Sequence, residues 1–517
     1  MSQEIELKLA LPDAEHQNFL SHPLLKKAIR RESYQLVNLY YDTPALALRQ
    51  HGVALRLRAQ GKIWLQTVKC AGQAAGGISA RPEWESPYAG HFDFSAIDDL
   101  AVRDWLNRPK LRSRITPIFE TNFMRMAWIL APAAGTEVML VLDRGWIAAG
   151  GRREAISEIE IELLHGDAAH LFSVARELAT RVPVAPAARS KADRGYRLFK
   201  QVPMAPVKAA PLSLAATDDP VRAFSRIALS CLDHLQQNHV GAISVEDPEY
   251  IHQMRVATRR LRAALRLFAP LLPTDFATPM VAALRDMMAV LGQARDLDVL
   301  LAEIAQPVLH ALPDEPRLAA LIGLITDRRF ERRRTAVDFL RSPRYGLITL
   351  ETLADLHGHA EKVGVGKMQC AEAGTAEADA PAQQLFEFAT ERLHRLRKKV
   401  LTLARQARID DPPSLHALRI GIKRLRYALE FFSPLTSPVA MRRILSHLAS
   451  LQETLGQIND LANAGALLMD CANDEAHLRE AVTLIGGWHG PRHQALLSAI
   501  KPGLKQLGKL RLPELRP

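Results

Sequence analysis

Two segments of the chain, His252–Phe268 (HQMRVATRRLRAALRLF) and His416–Phe432 (HALRIGIKRLRYALEFF), carry one pattern 164 residues apart. Downstream, Leu291–Asp296 (LGQARD) and Leu455–Asp460 (LGQIND) repeat at the same interval. Two matches in register mean duplication, and a duplicated unit must fold into a pseudo-symmetric domain. From Asp218 onward the apolar residues recur at three- and four-residue spacing, which is helical. A stretch rich in Ala, Gly and acids, Gly364 to Pro381, is expected to join the two halves.

At 100° per residue, His252, Arg255, Arg259, Arg262 and Arg266 fall within an arc of roughly 80°, opposite Ala257, Leu261, Ala264, Leu265 and Phe268. The second copy recreates the stripe with His416, Arg419, Lys423 and Arg426, puts Glu430 at its last place, and flanks it with Arg424 as Arg260 flanks the first. Solvated helix faces usually interleave Glu with Lys four residues apart. These segments hold almost no acids, so a polyanion that neutralises the stacked charge is the better reading. One histidine per helix without a neighbouring cysteine or carboxylate at ligand spacing is poor support for a metal. His252 and His416 read instead as hydrogen-bond donors to phosphate or as partners of helix termini, the first reading being favoured.

At 517 residues the chain exceeds what one core supports. The proline-bearing, acid-free stretch QVPMAPVKAAPLSLAA from Gln201 suits a linker over 201–217, between domains at 1–200 and 218–510. A net charge of +11 favours anionic partners without choosing among them. Cys70, Cys231, Cys370 and Cys471 lack paired spacing, which argues against a zinc cluster or disulfide framework and for a reducing cytoplasm. The acidic start at Met1-Ser2-Gln3-Glu4 is unlike a secretory signal, and no run of about 18 uncharged apolar residues suggests a membrane span.

The first 200 residues alternate differently. Glu4–Leu9 (EIELKL), Val53–Arg58 (VALRLR), Ile63–Lys69 (IWLQTVK), Val138–Asp143 (VMLVLD) and Glu158–Leu163 (EIEIEL) have the period of two that marks strands. Asp13–Ile29 and Asp167–Thr180 read as helices, so this half is α+β. On a strand, residues two apart share a face, so Glu4, Glu6 and Lys8 oppose Ile5, Leu7 and Leu9. A sheet with one solvated face, its Glu and Arg pairing across strands, would use these residues without catalysis. A closed barrel with the ionic faces inward would instead form a hydrated tunnel of both signs. Arg and Lys there suit phosphate oxygens, and clustered glutamates suit Mg²⁺ or Mn²⁺. The absence of a GxxxxGK[ST] loop disfavours a P-loop enzyme.

Glu4-x-Glu6-x-Lys8, followed by Arg56-x-Arg58, Lys69, Glu83-x-Glu85, Arg125, Glu158-x-Glu160-x-Glu162 and Ser190-Lys191, resembles the CYTH superfamily of triphosphate tunnel metalloenzymes. The resemblance implies an antiparallel eight-stranded β-barrel tunnel with flanking helices. It implies phosphate binding by Lys8, Arg56, Arg58, Lys69, Arg125 and Lys191, metal ligation by Glu4, Glu6, Glu158 and Glu160, and catalysis at Glu4, Glu6 and Lys8. Glu162, Glu83, Glu85 and Arg144 are further members of the tunnel wall on this reading.

The duplicated His-x-x-Arg-x-x-x-[Arg/Lys]-Arg-x-Arg pattern, with its paired Leu-Gly-Gln-x-x-Asp segments, resembles the CHAD domain. That implies an all-α duplicated four-helix bundle binding inorganic polyphosphate through His252, Arg255, Arg259, Arg260, Arg262, Arg266, His416, Arg419, Lys423, Arg424 and Arg426. The order of the two domains is similar to that of bacterial inorganic triphosphatases. The expectation is therefore a multidomain cytoplasmic enzyme that hydrolyses tripolyphosphate to pyrophosphate and phosphate with Mg²⁺ or Mn²⁺. A non-catalytic polyphosphate or nucleic-acid scaffold, and a triphosphatase or cyclase for thiamine triphosphate or nucleotides, are the alternatives. Sequence-specific DNA binding is disfavoured by the lack of a helix-turn-helix or zinc pattern.

Overall fold

The computed structural model describes residues 2–61, 63–75, 77–214, 218–362, 379–472 and 475–515. The joining stretch expected at Gly364–Pro381 lies outside them up to residue 378, and Asp379 already opens a helix.

Eight long strands form the first architecture: β1 (Ser2–Ala10), β2 (Arg30–Asp42), β3 (Val53–Gln60), β4 (Ile63–Cys70), β5 (Ile78–Pro87), β6 (Thr116–Ala133), β7 (Thr136–Ala149) and β8 (Arg152–His165). They run antiparallel in the order β1-β8-β7-β6-β2-β3-β4-β5, and β5 pairs back onto β1, closing the barrel. Closure leaves no unpaired edge and makes an inside for the ionic faces. Short strands Gln73–Ala75 and Ala185–Pro186 flank β5 and β1.

The aliphatic partners of the ions face out and are covered. Leu7, Leu9, Ile159 and Ile161 are fully buried, and the helix α1 (Ala169–Ala179) packs over β1 and β8. Leu55 and Val68 join Leu48, Phe94 and Leu106 in a second outer cluster. The helix expected over Asp13–Ile29 is broken in two, His16–Leu20 and Pro23–Lys27, because Pro23 cannot continue the first.

Along the inward faces the ions give way at one end to an apolar plug of Leu36, Phe119, Phe123, Ile147 and Ile156. Helix α2 (Lys191–Phe199) closes this end with Tyr196. Gly195 makes the fit possible, since a Cβ there would lie 2.2 Å from the Phe119 ring. A Ser190–Asp193 capping box starts α2 and fixes Lys191 as its first helical residue.

Beyond the linker come α3 (Pro220–Ser244), α4 (Glu249–Leu267), α5 (Thr274–Val299), α6 (Pro316–Leu340), α7 (Pro343–Lys362), α8 (Asp379–Gln406), α9 (Pro412–Phe431), α10 (Pro438–Cys471) and α11 (Ala476–Gly508). The repeated segments lie on α4–α5 and α9–α10, giving two four-helix sets, α3 to α6 and α8 to α11. Equivalent residues of the two copies meet, with the Phe268 and Phe432 rings 6.0 Å apart.

The chain resolves into two compact units, and the barrel unit comprises residues 1–207 together with Leu235–Ser244 and Leu340–Gly358. Helix α7, which the repeat does not foretell, is thus largely part of the barrel unit. There Tyr345 stacks on His239 at 4.6 Å and His357 contacts Phe172 at 5.3 Å. The rest of the helices form the second unit, with a core that includes Leu297, Ile304, Leu321, Leu468 and Ile485. No helix among the described residues is long and apolar enough to cross a membrane.

Candidate active-site tunnel and basic helical face

The strand register sets Lys8 opposite Glu160, Glu6 opposite Glu162, Lys69 opposite Glu83, Arg125 opposite Asp143, and Asp143 opposite Glu158. All of these share the inward parity, so the tunnel wall is a lattice of cross-strand charges.

Next to the plug, one oxygen each of Asp143, Glu158 and Glu160 lies within 4.8 Å of the others. Two cations already answer them. Arg125 grips Asp143 through two bonds of 2.8 and 2.6 Å and reaches Glu160 at 2.7 Å. Lys191 Nζ lies 2.7 Å from Asp143 and 3.1 Å from Glu160, and also donates to Glu158. Burial opposes charge on Lys191, Arg125 and Glu160, but the attraction of their partners outweighs it, raising Lys191 and Arg125 and holding Glu160 well below the usual carboxylate range. Arg194, one turn along α2, donates to Glu158 at 3.1 Å.

Farther from the plug the balance differs. Lys69 pairs with Glu4 and, at 3.0 Å, with Glu83, which also meets Arg56 at 3.3 Å. Glu6 takes bonds from Lys8 and, at 3.0 Å, from the Ser79 hydroxyl. Glu162 has no ion pair among the described residues. Burial, and then the charges of Glu4, Glu160 and Glu6, push its carboxyl up to about 7. Surplus negative charge therefore collects at Glu4, Glu6 and Glu162. An all-oxygen donor set with that surplus fits a hard divalent cation.

Arg58 is the opposite case. Its Nε donates to the Asn38 side chain at 3.0 Å, and no carboxylate pairs with it among the described residues. Burial, and then the neighbouring Arg56 and Arg125, pull it down to about 10. One residue of the expected wall lies elsewhere: Arg144 follows inward-facing Asp143 and so points outward and exposed, whereas Glu85 keeps the inward parity of Glu83, accepts the Thr67 hydroxyl at 3.0 Å and bears on Arg58 from an exposed position.

Because Glu162 keeps its proton longer in the folded chain than in the unfolded one, its contribution to stability is full below pH 4.5 and is lost as pH rises through about 7. Thermal melts of the metal-free protein from pH 5 to 8 should show this loss, and Glu162→Gln should flatten it. Added Mg²⁺ should offset it most at pH 8.

In the second unit the two basic stripes converge. Burial, followed by the charges of Arg259 from the first copy and Arg419 and Arg426 from the second, lowers Lys423 to about 7. Arg424 of the second copy bears in the same way on Arg266 of the first. Among the described residues, a buried guanidinium nitrogen on each of Arg255, Arg259, Arg262, Arg419 and Arg424 has no hydrogen-bond partner, although Arg255 meets Asp296 at 3.4 Å through another nitrogen and Arg426 meets Glu430 at 3.3 Å. Unmet donors of this kind are costly unless a ligand supplies acceptors. Arg260 departs from the expectation: it is buried and spans the repeats to Glu430 at 2.9 Å. Its guanidinium is committed to protein, so it positions the stripes rather than facing a ligand. His252 is pushed down to about 4 by burial and then by Arg295, and is neutral at pH 7. His416 lies 2.5 Å from the Asn459 side chain.

With this geometry in place, the CYTH domain family matches residues 2–196 and the CHAD domain family residues 226–469. The chain carries a CYTH domain and a CHAD domain. The CYTH part is 30% identical over 198 residues to the inorganic triphosphatase of Haemophilus influenzae, covering 38% of this chain and 55% of that one. The match thus spans about half of that relative's length. A Mycobacterium tuberculosis protein of uncharacterised function is 26% identical over 416 residues, 76% of this chain and 75% of its own. The crystal structure of a CHAD domain from the plant Ricinus communis is 35% identical, covers 61% of this chain and 100% of that one, and superposes with a TM-score of 0.50.

Sequence reasoning missed three parts of the CYTH tunnel. Asp143, wholly buried, is the one acid ending an aliphatic run and reads as a strand terminus unless its parity with Arg125 is known. Arg194 lies three residues after Lys191 on one face of α2, a spacing that could have flagged it. Asn38 gives no charge signal at all.

Proposed function

We propose that the CYTH domain hydrolyses inorganic tripolyphosphate to pyrophosphate and phosphate with Mg²⁺ or Mn²⁺, and that the CHAD domain binds inorganic polyphosphate. The observation that carries the first part is Arg58, a half-buried guanidinium that no carboxylate pairs with among the described residues. A triphosphate supplies the missing acceptors, which Arg58 and Arg56 receive on one wall and Lys8, Lys69 and Arg125 elsewhere in the lattice. Lys191 is so deeply committed to Asp143, Glu158 and Glu160 that it orients that acid cluster more than it meets substrate. Glu4, Glu6 and Glu160, with Glu162 added, are the carboxylates that would hold the divalent ion. Glu158 belongs to the originally expected set but is already shared by Lys191 and Arg194.

When bound, such an ion neutralises phosphate charge and lowers the pKa of water beside the terminal phosphorus. The chain itself fixes the phosphates in line, keeps them among fixed dipoles and needs no covalent intermediate. Phosphate release from tripolyphosphate, with Mg²⁺ and with Mn²⁺ across pH 6 to 9, tests this directly. Release with neither metal at any pH would remove the proposal, and faster release from thiamine triphosphate or nucleoside triphosphates would reassign the substrate.

For the CHAD domain, the unpartnered guanidinium nitrogens carry the reading. Lys423 gives it a pH signature. Free Lys423 is half neutral near pH 7, and a polyanion favours its protonated form, so binding takes up a proton above that pH. Polyphosphate affinity should fall as pH rises from 7 to 9, by up to about tenfold per unit for one linked proton. Lys423→Arg should flatten the profile. Duplex DNA competing as well as polyphosphate at equal phosphate concentration would favour the nucleic-acid reading instead.

A further inference from the structure

A groove of about 260 Å³ opens in the second unit between the start of α9, the C-terminal half of α10 and the middle of α11. Leu415, Ile458, Leu468 and Ile485 form an aliphatic floor in which each is at most 3% exposed. His489, 4% exposed, lines the same groove. Its Nε2 lies 2.8 Å from the Ile304 carbonyl oxygen, which can only accept, so Nε2 carries the proton. The other ring nitrogen, Nδ1, is then a buried acceptor, and it has no partner within the protein.

In the first copy, 164 residues earlier, Leu301 fills the core and Asp298 is paired with Arg329 at 2.6 Å. The second copy has Gly465 in place of Leu301 and Ala462 in place of Asp298. Apart from their own helix and chain neighbours, no atom comes within 4 Å of a Cβ placed on Gly465, Gly486 or Gly490, which line the groove, Gly465 and Gly486 on its exposed side. Glycine is less favourable than alanine inside a helix, and three of them keep side chains out of this groove.

We propose that this groove binds a compact, uncharged apolar molecule of one or two fused rings that carries a single N–H or O–H donor, directed at His489 Nδ1. The size follows from the space: an apolar cavity of about 150 Å³ holds a benzene ring, and drug-sized pockets begin near 300 Å³. The donor follows from the orphaned acceptor, and the lack of charge from walls that would strip a charged group of its water. The site is independent of the tunnel and of the arginine face.

Indole and benzothiophene, matched in shape and differing in the N–H, are titrated calorimetrically into the full-length protein. Indole is expected to saturate one site about tenfold more tightly than benzothiophene. Gly465→Leu, which restores the residue of the first copy, should abolish indole binding while the thermal midpoint holds or rises. His489→Phe should erase the preference for indole. Failure of indole to saturate up to its solubility limit, equal affinity for the two probes, or unchanged binding by the Gly465→Leu protein would each overturn the proposal. So would a dimer in sedimentation that Gly465→Leu converts to monomer, because the groove would then belong to a second copy of the chain.

Discussion

Arg58→Ala should lower kcat/KM for tripolyphosphate by about 10²–10³-fold, the usual loss when one preorganised charge facing the transition state is removed. The same substitution should leave the thermal midpoint unchanged or slightly raised. Both halves follow from one observation, that among the described residues Arg58 is hydrogen-bonded to the Asn38 side chain and ion-paired with no carboxylate, while burial and the nearby Arg56 and Arg125 disfavour its charge. Deleting it breaks no ion pair and relieves repulsion, so the fold loses little. Arg56→Ala is the instructive contrast, because Arg56 also answers Glu83 at 3.3 Å, and its loss should reduce both activity and stability. Steady-state kinetics with paired thermal melts checks this. An Arg58→Ala enzyme within threefold of the parent rate would show that the free guanidinium is not a substrate ligand.

The barrel and its inward ionic faces were legible because strand periodicity is local: Glu4-x-Glu6-x-Lys8 states which residues share a face without knowledge of any neighbour. The helical duplication was legible for the same reason, since a pattern that recurs at one spacing needs no contact map. What could not be read was pairing across the barrel. Whether Arg125 or Arg58 meets a carboxylate depends on register, which sets Arg125 beside Asp143 but Arg58 beside Asn38. Arg260 looked like one more member of a basic stripe until Glu430 of the other copy was found against it. The ownership of α7 by the barrel unit was equally invisible, since its burial of Tyr345 depends on residues more than a hundred positions away, such as His239.

Lys191→Ala should destabilise the barrel by about 3–5 kcal/mol, the range for removing one partner from a buried ionic cluster. For a domain of this size that corresponds to a fall in thermal midpoint of about 10 °C. Asp143, Glu158 and Glu160 would then face one another with Arg125, Arg194 and, for Glu160, Lys8 as their remaining partners. Like charges left in a low-dielectric pocket raise each other's proton affinity, so the folded mutant should hold protons that the unfolded chain has released. Its deficit relative to the parent should consequently shrink as pH falls from 7 to 5 and grow as pH rises. Glu158→Gln added to Lys191→Ala should recover part of the loss, since it removes one of the unanswered charges, whereas Glu158→Gln alone should destabilise. A deficit independent of pH would mean that Lys191 matters only for packing of the first turn of α2 against the plug, and that the acid cluster is neutralised by other means.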